Sequence, residues 1–295
     1  MKPEISIIIP TFNNADLLHR AIQSIFNQTI KNWEAIIIDN SSTDSTKSVV
    51  DSFRDSRIRF FSINNKGIIA ISRNFGIKKS RSENIAFLDS DDWWMKNKLE
   101  ISLKYIDDYD FIYHDLLIRK QDSLINKQVS KSKKLNRNAF KKLLIQGNCI
   151  PNSSVIVKKN KLLQIGLIDE NNNKFSWEDY DTWLNLAKIK TKFKRLPYPL
   201  GFYWVGTNNV TNMRQIKTNI NNFLNIYKNS LKEYGIINEP WWCSYLIGMS
   251  YIDKEDYNKS NKYFFKSIKN TKNIYLILKS YLRILNNIIK SCVNR

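Results

Sequence analysis

Apolar residues fall in short unbroken runs, each ending in polar residues. Ile5-Ser-Ile-Ile-Ile-Pro-Thr-Phe12 is the first, followed by Trp33-Glu-Ala-Ile-Ile-Ile-Asp39, Ile58 to Ile63, and Ile85-Ala-Phe-Leu88. Runs of this length without alternation read as strands buried on both faces of a parallel sheet. Helices are expected between them, over 15–27, through Val49 and Val50, and over 68–79. The resulting β-α-β-α series predicts a layered α/β fold with a mostly parallel central sheet. Ligands of such sheets bind beyond the carboxyl ends of the strands. Thr11 and Asn13, Asp39, and Asp89 with Asp91 all fall there.

The fourth run leads into Asp89-Ser-Asp-Asp-Trp-Trp94, which sets three carboxylates within four positions. Like charges this close raise one another's pKa and repel. One reading is a solvated turn capping a helix that begins near Met95, since Asp is a good N-cap. The other is a site for Mg²⁺ or Mn²⁺, which takes one or two carboxylates and leaves its other positions to water and substrate phosphates.

Glycine narrows the choice of phosphate site. The first run passes into Pro10-Thr-Phe-Asn-Asn14 with no Gly-x-Gly-x-x-Gly, and no Walker Gly-Lys-Ser/Thr occurs. With 8 Gly in 295 residues, no glycine-rich cradle is available, so a metal and basic side chains would have to hold phosphates. The same absence argues against a dinucleotide oxidoreductase and a sugar nucleotidyltransferase.

Four ordered segments, Ile7-Ile-Ile-Pro-Thr-Phe-Asn13, Ile36-Ile-Ile-Asp-Asn-Ser-Ser-Thr-Asp44, Ser72-Arg-Asn-Phe-Gly76 and Phe87-Leu-Asp-Ser-Asp-Asp-Trp93, carry a resemblance. The first 95 or so positions resemble a family 2 glycosyltransferase of the GT-A fold, of the bacterial surface-polysaccharide type. The resemblance implies a nucleotide-sugar donor, with Pro10, Thr11, Asn13 and Ser90 lining its site. It places Asp39 on the uracil ring, Asp89 near the ribose and Asp91 on the Mn²⁺ or Mg²⁺ that bridges the diphosphate. Arg73 falls near the donor, where a planar guanidinium suits phosphate oxygens. Asn74 and Gly76 are expected to serve packing. One departure stands out: the family often has Asp-Asp-Gly-Ser after the second strand, and here Asn40 replaces the second carboxylate.

Transfer to a hydroxyl needs a general base. His19 and His114 are the only histidines, and neither is well placed. In Trp177-Glu-Asp-Tyr-Asp181, three acids fall in the first turn of an expected helix that Ser176 can cap, an arrangement the helix dipole favours in any case. The family carries a Glu-Asp pair at this stage, and the resemblance makes Asp179 the base. Glu178, Trp177, Asp92 and Trp93 then belong to the acceptor side. Inversion of the anomeric configuration follows from the resemblance alone.

Charge enters last. Lys plus Arg number 47 against 27 Asp plus Glu, a formal net +20. Without a recognition motif this does not argue for nucleic acid; an anionic membrane surface fits better, and an Ile-, Lys- and Asn-rich composition accounts for part of the excess. No acid occurs between Asp122 and Asp169, or after Asp256. From Ile274 to Lys290 a helical stripe of Lys279, Arg283, Asn286, Asn287 and Lys290 opposes one of Leu, Ile and Tyr, an amphipathic pattern suited to a membrane interface. Before it, Trp242 to Asn270 reads as a helical hairpin.

The expected organisation is a catalytic domain over 1–214, with a nucleotide-sugar half (1–110) and an acceptor half (111–214). A helical extension over 215–295 would pack on it, pair subunits in a homo-oligomer or touch membrane. Cys149, Cys243 and Cys292 have no metal spacing and suit a reducing cytoplasm, and no targeting signal is expected before the first strand. The activity implied is metal-dependent transfer of a hexose from a UDP-sugar, glucose or galactose first, to a lipid-linked saccharide of polysaccharide, O-antigen or capsule assembly, at the inner face of the cell membrane. The rivals are a sugar nucleotidyltransferase and a non-catalytic, basic, membrane-associated binding protein of the same fold.

Overall fold

The four apolar runs form β1 (Ile5–Thr11), β2 (Trp33–Asp39), β3 (Ile58–Ser62) and β4 (Asn84–Phe87) in this computed structural model, which describes residues 2–120, 128–171, 177–206 and 213–293. Helices α1 (Ala15–Phe26), α2 (Thr46–Ser52) and α3 (Ile69–Lys79) connect them. Every residue of β1 and β2 is buried, as unbroken apolar runs require. Helix α1 supplies Leu18, Ala21, Ile22 and Ile25 to the core at helical spacing.

The chain continues through β5 (Trp93–Trp94), α4 (Lys98–Leu103), β6 (Phe111–Lys120), β7 (Val129–Ser130), α5 (Ala139–Gln146), β8 (Ile156–Lys158), α6 (Lys159–Gln164), α7 (Glu178–Lys188) and β9 (Phe193–Val205). The sheet order is β3-β2-β1-β4-β8-β6-β9-β5, with β7 on β6, and parallel pairings dominate. Thr11 lies opposite Asp39, and Asp39 opposite Ser62, so the carboxyl ends of the first three strands share one edge.

Helix α3 lies close on this sheet because Gly76 has no side chain. A Cβ there would stand 2.7 Å from Ile8 Cγ2 and 2.9 Å from Ile38 Cδ1. Beside it Asn74 pins a distant segment, its Nδ2 donating to Ile168 O and its Oδ1 accepting from Ile168 N. Both residues serve packing, as expected.

The Asp-rich turn does not cap a helix at Met95. Trp93 and Trp94 instead pair with Phe202 and Gly201 of β9, and α4 starts only at Lys98. Ser176 and the start of the acid-free segment, 121–127, lie outside the described residues.

Two compact units result: residues 1–139, 149–170 and 178–208 form one, and 140–148, 171–177 and 209–295 the other. The second holds α8 (Met213–Ile226), α9 (Lys228–Glu233), α10 (Trp241–Ile252), α11 (Tyr257–Lys269) and α12 (Ile274–Val293). Helices α10 and α11 make the expected hairpin, with Gly248 against the Phe264 ring. Among the described residues no helix is long and apolar enough to cross a membrane.

Candidate active site

Just past β4 the chain turns sharply, with Asp92 N donating to Asp89 O. The three carboxylates of this turn have three different surroundings. Asp89 Oδ1 accepts from Arg73 Nη2 at 2.7 Å and from Asn152 Nδ2 at 2.9 Å. Asp92 is buried and its Oδ1 accepts from Trp204 N, so its carboxylate anchors the end of β9 to the turn. Burial, then Asp91 and Asp89, hold its pKa well above the ordinary range. Asp91 has no hydrogen bond to its carboxylate from another described residue, only from its own backbone N–H, and burial with neighbouring Asp89 pushes its pKa up to about 6.

Arg20 sits against this turn, within the attraction of Asp91 and Asp92. Its guanidinium lies 3.7 Å from the Trp93 ring centroid and 4.6 Å from that of Trp204, and Nη2 donates to Asp91 O at 2.8 Å. Trp93 also stacks on Phe202. The acceptor-side pair Asp92 and Trp93 is thus engaged in building the turn.

Arg73 joins the turn to a helix far along the chain. It is 3% exposed; Nη2 holds Asp89, and Nη1 donates to Glu178 at the start of α7. Burial opposes the charge, and Asp89, Glu178 and Asp179 more than offset it, leaving its pKa above the ordinary value. Expected as a phosphate clamp, Arg73 spends both Nη atoms on carboxylates. Asp179, the next residue, accepts from Tyr180 N at 2.6 Å. Burial, reinforced by Glu178 and opposed by Arg73, pushes its carboxyl up to about 7. Tyr203 feels Asp92, Asp91, Asp89 and Asp179 together. The carboxylates of the Asp turn and the expected base therefore act electrostatically on the same groups, Arg73 and Tyr203.

At the ends of β1 and β2 a second cluster forms. Asp39 accepts from Ser42 N at 3.0 Å, from Ser42 Oγ and from Ser62 Oγ at 3.3 Å. Asn13, at φ 45°, accepts from Thr43 N at 2.8 Å, and Ser90 Oγ accepts from Asn14 Nδ2 at 3.0 Å, which ties the first loop to the Asp turn. Thr11 Oγ1, at the carboxyl end of β1, is buried without a partner among the described residues. Pro10 is buried within β1. Trp177 belongs to the second unit, its ring 6.1 Å from that of Trp242.

The histidines are excluded as bases. His114 is fully buried, and burial, then Lys98, pushes its pKa down to about 3, while His19 is exposed on α1 beside Phe53. Sequence reasoning missed Arg20, Asn152, Tyr203 and Trp204. Arg20 is an ordinary helix position in one dimension, and Asn152 has a faint signal in Pro151-Asn-Ser-Ser154 at a strand start.

Among the described residues no group of three or more His, Cys, Asp or Glu stands ready to hold a metal. With Asp89 and Asp92 occupied, Asp91 alone presents a carboxylate. One carboxylate suits a cation that takes its other ligands from water and phosphate, so the set fits Mg²⁺ or Mn²⁺ held jointly with a donor.

The chain is similar to known proteins. An uncharacterised glycosyltransferase of Rickettsia felis is 29% identical over 90% of this chain, which spans 44% of that longer protein. The Escherichia coli protein WfgD, a UDP-Glc:α-D-GlcNAc-diphosphoundecaprenol β-1,3-glucosyltransferase, is 34% identical over 62% of this chain and 70% of its own length. Staphylococcus aureus TarS, solved with UDP-GlcNAc, superposes with a TM-score of 0.59 at 15% identity, covering 96% of this chain and 89% of that one. The profile of Glycosyl transferase family 2 matches residues 6–172. With its strand-end carboxylates and this match over more than half its length, the chain belongs to glycosyl transferase family 2 and has the GT-A fold.

Proposed function

We propose that the protein is an inverting transferase that moves a hexose, glucose or galactose, from a UDP-sugar to a hydroxyl of a lipid-linked saccharide in surface-polysaccharide assembly. One observation carries the reading: Arg73 bonds both Asp89, on the donor side, and Glu178, next to Asp179. The activity of the similar WfgD supports the donor and the diphosphoundecaprenol-linked acceptor. Residues 1–214 would make up the catalytic part and 215–295 an extension that meets the membrane.

In this scheme Asp179 takes the proton of the acceptor hydroxyl. Its pKa near 7 suits a base working at neutral pH. The oxygen attacks the anomeric carbon, the bond from that carbon to the phosphate oxygen breaks, and UDP leaves from the opposite face with the bonding electrons. Arg73 holds Glu178 beside the base and keeps Asp89 in place. Asp39 and Thr11 would receive the nucleoside at the strand ends. Asp91 would hold Mn²⁺ or Mg²⁺, which when bound supplies charge neutralisation for the diphosphate.

The test is UDP release from UDP-glucose and UDP-galactose with a GlcNAc-diphosphate-lipid acceptor, in Mn²⁺, Mg²⁺ or EDTA. Release that requires both the acceptor and the cation supports the scheme. Absence of release, with no nucleotide sugar raising the melting temperature, sinks it.

A further inference from the structure

The last helix turns part of its polar stripe inward beside the buried Ile284. Helix α12 buries Ser280 and Asn287 toward the hairpin, Asn287 Nδ2 donating to Ser260 Oγ at 2.9 Å and Asn261 Oδ1 at 2.8 Å. Arg283 reaches inward as well, Nε donating to Tyr245 OH. The apolar stripe is left outside: Leu278, Leu282, Leu285 and Ile289 are each 54 to 61% exposed. Their spacing of four, three and four sets them on one line of the helix. Phe265 of α11, 47% exposed, extends the patch through its edge contact with Tyr281. A bare apolar face of this size marks an interaction surface.

Charge identifies what covers it. Lys262 and Lys269 flank Phe265 at helical spacing, and Lys290 closes the far end; all three are exposed. No acid follows Asp256, so nothing in this part of the chain offsets them. A two-fold pairing of copies would set this basic rim against itself, whereas anionic headgroups complement it. The helix is not apolar enough to cross a bilayer, which leaves it lying in the interface.

We propose that α12 and the edge of α11 bind an anionic lipid surface, with Leu278, Leu282, Leu285 and Ile289 among the acyl chains and Lys262, Lys269 and Lys290 at the headgroup phosphates. The proposal rests on the lipid-linked-acceptor reading for its purpose and deepens it by naming the surface that meets the membrane.

Co-sedimentation of the 295-residue chain with vesicles tests it. The chain binds phosphatidylcholine–phosphatidylglycerol vesicles, more weakly as salt rises, and binds phosphatidylcholine alone poorly. Leu282→Ser with Leu285→Ser weakens binding at least about tenfold, and Lys262→Glu, Lys269→Glu and Lys290→Glu weaken it about fivefold each. All these positions are exposed, so melting temperatures stay at the parent value. The proposal is overturned if the parent does not sediment with the mixed vesicles, or if the leucine pair binds as the parent does. A dimer in free solution that the leucine pair dissociates assigns the face to a second copy and overturns it too. UDP release onto a water-soluble acceptor is read separately: its absence with vesicle binding intact removes the transferase reading and leaves this one.

Discussion

Arg73 Nη2 stands 2.7 Å from Asp89 Oδ1, and both residues belong to elements that leave the same edge of the sheet. Because Arg73 is buried, its removal strands Asp89 and Glu178 as uncompensated carboxylates. Arg73→Ala should cost ~3–5 kcal/mol of stability, read from urea denaturation. Arg73→Lys keeps the charge and loses the fork. The charge of Arg73 lowers the Asp179 pKa, so Arg73→Ala should move the acidic limb of the pH–rate profile to higher pH, while Arg73→Lys, which keeps the charge, should move it less. An unmoved limb in the alanine variant would separate Arg73 from the base.

Asp179 carries two opposite expectations. Its carboxyl titrates near 7 in the folded chain against an ordinary 3.8, so the folded state holds a proton that the unfolded state has released. Its contribution to stability is therefore fully present below the ordinary value and is lost as pH rises toward 7. Asp179→Asn should lower transfer ~10²–10⁴-fold with UDP affinity unchanged. The variant should also gain on the parent in melting temperature as pH is raised across that window. Calorimetry at several pH values checks the second expectation without relying on activity.

Arg20 holds the Asp turn between two indole rings and by one bond to a carbonyl. Arg20→Ala should cost ~2–3 kcal/mol, the sum of a cation–π contact and a charge-assisted hydrogen bond. Loss of the cation also removes an attraction that lowers the Asp91 pKa, so Mn²⁺-dependent binding of UDP, read by titration calorimetry, should require a higher pH. Asp91→Ala should lose the metal-dependent part of that binding with little change in stability.

Gly76→Ala sets two effects against each other. Alanine gains up to ~1 kcal/mol in helix propensity, while overpacking against Ile8 and Ile38 costs ~1–3 kcal/mol. The contacts, at 2.7 and 2.9 Å, are too close for small adjustments to relieve, so a lower urea midpoint is expected.

What could be read in one dimension follows from where burial comes from. Strands β1, β2 and β4 are covered on both faces, so their composition announces them, and Asp39, Asp89 and Asp91 follow directly at their ends. Strand β9 hides because Pro197 and Pro199 interrupt it; the structure absorbs them where the register with β6 slips near Asp115. The partners of Asp92 and Asp91 come from Trp204 and Arg20, which no spacing rule connects. The tail shows the same limit: its two stripes are legible, but the inward turn of Arg283 and Asn287, with Lys290 left exposed, depends on Tyr245 on α10 and on Ser260 and Asn261 on α11.

The family match ends at residue 172, six positions before the Glu178 that shares a guanidinium with Asp89. A fragment cut at that boundary would keep the strand-end carboxylates and lose Glu178 and Asp179, two of the three anions around the buried Arg73. Chimeras that exchange acceptor specificity between relatives should therefore place their splice after α7, so that the Arg73 pairing is inherited whole.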